Sequence, residues 1–101
     1  VLNNGGGAIF HALPGLDMAG DTRRFVTASH GASAAGWAES QGFTYLRATD
    51  TVSLLAALDD LLDEAATAPV LLEVFTDAET DAEEQRNYYH AIKEEWKNFL
   101  R

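Results

Sequence analysis

The 101-residue sequence has no cysteine, which removes disulfide frameworks, thiolate nucleophiles and cysteine-based zinc sites in one step and suits a reducing compartment, the cytoplasm by default. Basic residues are scarce: seven Lys and Arg stand against sixteen Asp and Glu, for a formal net charge of −9. Sequence-independent binding to a phosphate backbone or to an anionic membrane surface needs the opposite balance, so nucleic acid and membrane are set aside as partners. No run of about eighteen apolar residues is present to span a bilayer. The opening Val1-Leu2-Asn3-Asn4 has neither a basic leader region nor an initiator Met, and reads as the continuation of a longer chain. There is no internal repeat and no low-complexity stretch.

What is present is a foldable globular composition, 47% hydrophobic and 23% charged. A chain of this length buries roughly 60 to 68% of its unfolded surface, enough for one modest core, so residues 1–101 are read as a single domain. Val1-Leu2 is the tail of a strand that stops at Asn3-Asn4-Gly5-Gly6-Gly7. Ala8 to Leu13 has room for about one and a half helical turns before Pro14-Gly15, and Leu16 to Arg24 reads as a polar connection. A helix is expected within Ser33 to Gln41, with Gly42 at a left-handed cap, followed by a strand at Phe43 to Ala48. Asp50 or Thr51 caps a helix whose Val52, Leu55, Leu58, Leu62 and Ala65 are expected to share the buried face. Val70 to Phe75 is an almost continuous apolar run, the pattern of a parallel strand covered on both faces. Capping-box spacings at Thr76 to Glu79 and Thr80 to Glu83 open a final helix with Tyr88 or Tyr89, Ile92, Trp96 and Phe99 on one stripe. Strand and helix alternate throughout, which predicts an α/β fold: a three-layer, doubly wound, mostly parallel sheet.

In such a sheet, ligands sit at the carboxyl ends of strands, and Asn3-Asn4-Gly5-Gly6-Gly7 is the strand end of unusual composition. Consecutive glycines allow positive φ and close approach of a bulky anion, while two carboxamides offer oxygen ligands without charge. Mg²⁺ takes about six oxygens, commonly one or two carboxylates plus substrate phosphates, so a metal-bound phosphate suits this turn provided a carboxylate comes from elsewhere. By spacing alone the string is equally an ordinary glycine-rich turn, and Ile9, Phe10 and Leu13 beyond it are equally ordinary core residues.

The string Asn3-Asn4-Gly5-Gly6-Gly7-Ala8-Ile9-Phe10, followed by Leu13-Pro14, resembles the carboxy-terminal cofactor domain of the thiamine-diphosphate-dependent 2-succinyl-5-enolpyruvyl-6-hydroxy-3-cyclohexene-1-carboxylate synthase family of menaquinone biosynthesis. Phe25 to His30, Ala38 to Tyr45 and Val70 to Thr76 continue the resemblance across essentially the whole chain. It implies a partial thiamine-diphosphate-binding fold in which Asn4 coordinates Mg²⁺ through its side-chain oxygen and Gly6 through its backbone carbonyl. Asn3 and Gly5 would then lie at the diphosphate edge, with Ile9, Phe10 and Leu13 as an apolar wall. It further implies that the cofactor carbanion adds to 2-oxoglutarate, CO₂ leaves, and the resulting enamine adds to isochorismate. The partners implied are the rest of the same enzyme and a second subunit, as a homo-oligomer. The metal-binding Asp, the Glu that activates the cofactor and the substrate-binding arginines of such enzymes have no counterpart in this string. No residue of the chain is therefore assigned a catalytic role, and the isolated chain is expected to be inactive. Another thiamine-diphosphate decarboxylase, such as an acetolactate-synthase relative, and a small noncatalytic α/β phosphate-binding module are the alternatives. His11, His30 and His90 lack metal-ligand spacing, and Asp59, Asp60, Asp63 and Glu64 read as a solvated helix face.

Overall fold

A computed structural model describes residues 1–12 and 21–101. In chain order the elements are β1 (Leu2–Asn3), α1 (Ile9–Ala12), α2 (Asp21–Thr27), α3 (Ala35–Ser40), β2 (Thr44–Ala48), α4 (Thr51–Leu61), β3 (Val70–Phe75) and α5 (Ala78–Phe99). The chain divides into two compact units, one formed by residues 1–5 and 30–76, the other by residues 6–29 and 77–101.

The first unit is α/β, as the alternation of strands and helices predicts. Its three strands form a parallel sheet in the order β1-β3-β2, with Leu2 opposite Val74 on one side of β3 and Thr44 opposite Val70 on the other. Because side chains alternate across a strand, Leu46, Ala48, Leu72 and Val74 share one face, and Tyr45, Arg47, Glu73, Phe75 and Asn3 share the other. The apolar face packs against α4 around buried Ala48, Ala57 and Leu72. Alanine on both sides of this contact lets the helix approach the sheet closely. Gly42 follows α3 at φ +77°, the left-handed position only glycine takes without strain.

The buried face of α4 differs from the expected one. Leu54, Ala57, Leu58 and Leu61 pack on the sheet, while Val52, Leu55 and Leu62 are exposed. The helix carries leucine on two sides, so periodicity alone fits either stripe, and contact with the small Ala48 selects the one containing Ala57. It also ends at Leu61 rather than running to Ala65, because the Asp63 carboxylate accepts a hydrogen bond from Ala65 N at 2.9 Å and folds the chain into a turn. Asp50, not Thr51, is the cap: its Oδ1 accepts from Ser53 N at 2.7 Å, and Ser53 Oγ accepts from Asp50 N. That backbone hydrogen bond holds the Asp50 carboxyl below its ordinary range.

The second unit is helical. Asp21 to Arg24, expected to lie in a polar connection, form α2 together with Phe25 to Thr27, with Asp21 in its first turn and Arg24 in its last, the charge order that suits a helix dipole. Thr27 closes it, donating its hydroxyl to Arg23 O at 2.9 Å. α1 packs on α5, where Arg86 Nη1 donates to His11 O at 3.1 Å and Arg23 bridges the His11 ring and Glu79. Asp77 caps α5 by accepting from Thr80 N at 2.9 Å, so neither Thr76 nor Thr80 is the capping residue; the carboxylate one residue inside the first box takes that place, and the second box lies within the helix. The hydrogen bond from Thr80 lowers the Asp77 pKa. The stripe Tyr89, Ile92, Trp96 and Phe99 is present on α5, but all four residues are exposed.

Candidate functional site

The Asn3 to Gly7 string lies where the sequence places it, at the carboxyl end of β1, and the two units divide at the Gly5–Gly6 peptide. On the first side, Asn3 has its whole carboxamide engaged. Nδ2 donates to Ala32 O and to Glu73 Oε1, both at 2.8 Å, and Oδ1 accepts from Gly5 N at 3.1 Å. With two acceptors facing the nitrogen and a donor facing the oxygen, the amide has one possible orientation. The Oδ1 to Gly5 N bond closes a side-chain turn over Asn4, the residue it brackets. Gly5 sits at φ +74°, and its carbonyl accepts from His30 N at 2.8 Å. Any side chain here would be strained whatever the space around it.

On the second side, Gly6 O accepts from Ala8 N at 3.1 Å. A Cβ at Gly6 would lie 3.0 Å from Thr27 O, and one at Gly7 2.9 Å from the Phe10 ring. Both positions therefore lack room for a side chain. Ile9 is 62% and Phe10 37% exposed, and α1 contains no buried residue. Ile9 and Ala12 border an open groove of about 480 Å³ whose other wall is Gln85, Arg86 and Tyr89 of α5. Leu13, the last residue assigned to the wall, lies outside the described residues. The structure thus brings Ile9 and Phe10 onto one short helix and brackets Asn4 between Asn3 and Gly5.

The donor set around the turn consists of neutral oxygens. Among the described residues no group of three His, Asp or Glu converges on a possible metal position, the Asp59 to Glu64 cluster included. Carboxamide and backbone carbonyl oxygens match the preference of Mg²⁺ for hard ligands, but a carboxylate and phosphates must complete such a shell. The residues present fit a partial Mg²⁺ site. Of the histidines, His11 is engaged by Arg23, His30 Nδ1 accepts from Ala32 N at 3.2 Å, and His90 is exposed on α5.

The residue missed from sequence is Glu73. It is 1% exposed and gathers hydrogen bonds from four residues besides its own strand: Asn3 Nδ2 at 2.8 Å, Ser33 Oγ at 2.7 Å, Tyr45 OH at 2.7 Å and Ala34 N at 3.0 Å. Burial pushes its carboxyl upward, but the hydrogen bonds from Tyr45, Ser33, Asn3 and the Ala34 amide outweigh it and hold the pKa at about 2. Burial raises the Tyr45 hydroxyl; the Ser33 contact opposes this and Glu73 reinforces it, so Tyr45 remains a donor. The signal available in the sequence was a single charge inside the apolar run Val70 to Phe75.

Comparison with known proteins bears on the whole chain. It is 50% identical over 94 residues to the 2-succinyl-5-enolpyruvyl-6-hydroxy-3-cyclohexene-1-carboxylate synthase of Bacteroides fragilis strain ATCC 25285, covering 92% of this chain and 17% of that protein. The protein of the same name from Bacteroides thetaiotaomicron is 47% identical over 95 residues, 93% of this chain and 17% of its own length. A more distant one from Roseiflexus castenholzii is 35% identical over 81 residues, 80% of this chain and 14% of its own length. No family model matches the chain, and no solved structure matches it significantly. Among the described residues no helix is long and apolar enough to cross a membrane. With half of its residues shared across nearly all of its length, and spanning 17% of the length of those relatives, this chain belongs to the 2-succinyl-5-enolpyruvyl-6-hydroxy-3-cyclohexene-1-carboxylate synthase family.

Proposed function

We propose that this chain is the carboxy-terminal part of the thiamine-diphosphate-binding domain of a cytoplasmic synthase that decarboxylates 2-oxoglutarate and joins the remaining unit to isochorismate in menaquinone biosynthesis. The observation that carries this reading is the 50% identity over 92% of the chain to a synthase of that family, in a chain whose Asn3 to Gly7 string leaves the end of a parallel strand. Asn4 would hold Mg²⁺ through its side-chain oxygen and Gly6 through its carbonyl, with Asn3 and Gly5 shaping the diphosphate edge. When bound, thiamine diphosphate supplies a nucleophilic carbon and an electron sink for the decarboxylation. The chain's own contributions are to orient neutral oxygens toward the metal, to let the backbone turn at Gly5 and pass close to Thr27 at Gly6, and to exclude water with Ile9, Phe10 and Leu13. The remaining carboxylates and the arginines that bind substrate come from other parts of the enzyme or a second subunit.

The test is made on the full-length enzyme stripped of cofactor and metal. Release of CO₂ from 2-oxoglutarate should require both thiamine diphosphate and Mg²⁺, and consumption of isochorismate should require the same pair. An undiminished rate without either one would overturn the reading.

Phe10 separates the water-excluding role from ordinary packing. Truncating a core Phe to Ala costs about 3 to 5 kcal/mol, whereas Phe10 is more than one-third exposed and has less burial to lose. Phe10→Ala in the full-length enzyme should lower kcat about tenfold or more, the scale of a disturbed reaction geometry, with the melting temperature nearly unchanged. Normal turnover accompanied by a large fall in melting temperature would make Phe10 a packing residue instead.

The isolated chain is expected to self-associate and to show no turnover. Val52, Leu55 and Leu62 on α4 and, separately, Tyr89, Ile92, Trp96 and Phe99 on α5 are all exposed, and exposed apolar helix faces of this kind favour association. Sedimentation velocity over a concentration series should show mass rising with concentration, whereas a monomer at every concentration would remove this expectation. Decarboxylation by the isolated chain supplied with cofactor, Mg²⁺ and 2-oxoglutarate would contradict the assignment of catalytic groups elsewhere.

A further inference from the structure

We propose that Glu73 is a positioning residue for the metal-bearing turn: its buried carboxylate fixes the Asn3 carboxamide, and Asn3 in turn fixes the backbone turn that presents Asn4. This inference rests on the proposed role of Asn4 as a Mg²⁺ ligand. The connection is continuous and short. Glu73 Oε1 accepts from Asn3 Nδ2 at 2.8 Å, and Asn3 Oδ1 accepts from Gly5 N at 3.1 Å, so one residue, Asn4, lies inside the closed turn. Pairing of β1 with β3 sets Asn3 opposite Phe75, and the pleat brings Asn3 and Glu73 to the same face of the sheet.

Glu73 is itself held on its other side. Ser33 Oγ and Tyr45 OH both donate to Oε2 at 2.7 Å, and Ala34 N reaches both oxygens at 3.0 and 3.1 Å. The donors come from β1, β2 and the segment before α3, so one group registers three separate pieces of chain against the end of β3. Asn3 cannot compensate for its loss, because its second amide hydrogen is already given to Ala32 O at 2.8 Å. A Gln at position 73 retains one carbonyl oxygen, which can face Asn3 and Ala34 N while the Ser33 and Tyr45 hydroxyls turn to accept from its amide.

The experiment measures the dissociation constant of thiamine diphosphate at saturating Mg²⁺, and of Mg²⁺ at saturating thiamine diphosphate, in the full-length enzyme. Glu73→Ala should weaken both at least about tenfold, the usual loss when a group that orients a metal ligand is removed, and Glu73→Gln should recover them to within about threefold. Asn3→Ala should cause a comparable loss, and Glu73→Ala should add nothing further in the Asn3→Ala background, since both act through one connection. Should Glu73→Ala not yield folded enzyme, Glu73→Asp, which withdraws the carboxylate by one methylene, makes the same comparison. Unchanged affinities in the Glu73 variants, or a Glu73 penalty fully retained without Asn3, would overturn the positioning role. Asn4→Ala measured alongside separates the two levels: if it too leaves affinity unchanged, the metal reading itself fails, and if only the Glu73 variants are silent, the positioning role fails alone.

Discussion

Acidification from pH 4.5 to about pH 2 should cost this chain about 3 kcal/mol through Glu73, the free-energy equivalent of its displaced pKa. The carboxyl is held at about 2 in the folded chain against an ordinary value of 4.5, so the folded state binds its proton less tightly than the unfolded state. Its stabilising contribution is fully present above pH 4.5 and is lost as pH falls through the folded value. Asp50 and Asp77, also lowered, act in the same direction, but both are exposed caps and their share is small. The measurement is denaturant unfolding at a series of pH values for the wild type and Glu73→Gln. Glu73→Gln should be less stable near neutral pH, because two charge-assisted hydroxyl bonds are weakened, yet lose less on acidification. Two parallel stability curves would show that Glu73 is not the group that titrates.

Much of the fold was legible because its signals are local. Gly42 after a helical run, a capping residue at Asp50 or Thr51, and an apolar run at Val70 to Phe75 each carry their own physical reason, and the structure has Gly42 left-handed, Asp50 as the cap and a strand at Val70 to Phe75. The turn at Asn3 to Gly7 was legible for the same reason. Glu73 was not, because a carboxylate inside a strand declares its purpose only through partners, and Asn3, Ser33, Ala34 and Tyr45 lie 28 to 70 residues away. The sheet register and the path before α3 bring them together, and neither can be read from spacing. The face of α4 was misassigned where leucine occupies two sides of the helix, and the decision rests on which side meets Ala48. The α5 stripe was correctly periodic, but periodicity specifies an apolar face and not its partner. For α2, the acid-first and base-last charges were available, and the short polar stretch before them obscured the helix.

The proposed metal role makes Asn4 the decisive position. Asn3 is committed to the strand end through all three of its side-chain hydrogen bonds, and Gly5 to its left-handed turn, so the proposed metal role on this side is tested at Asn4. Replacing Asn4 by Ala removes that oxygen while leaving the Asn3 to Gly5 bond intact, which separates loss of a ligand from loss of the turn. The direct measurement is calorimetric titration of thiamine diphosphate and Mg²⁺ into the full-length enzyme stripped of both, comparing wild type with Asn4→Ala. Affinity for each should fall at least about tenfold, the lower end of the losses seen when a metal site is disturbed, with far-ultraviolet circular dichroism unchanged. Wild-type affinity for both in Asn4→Ala would contradict the assignment of this turn as the metal and diphosphate site.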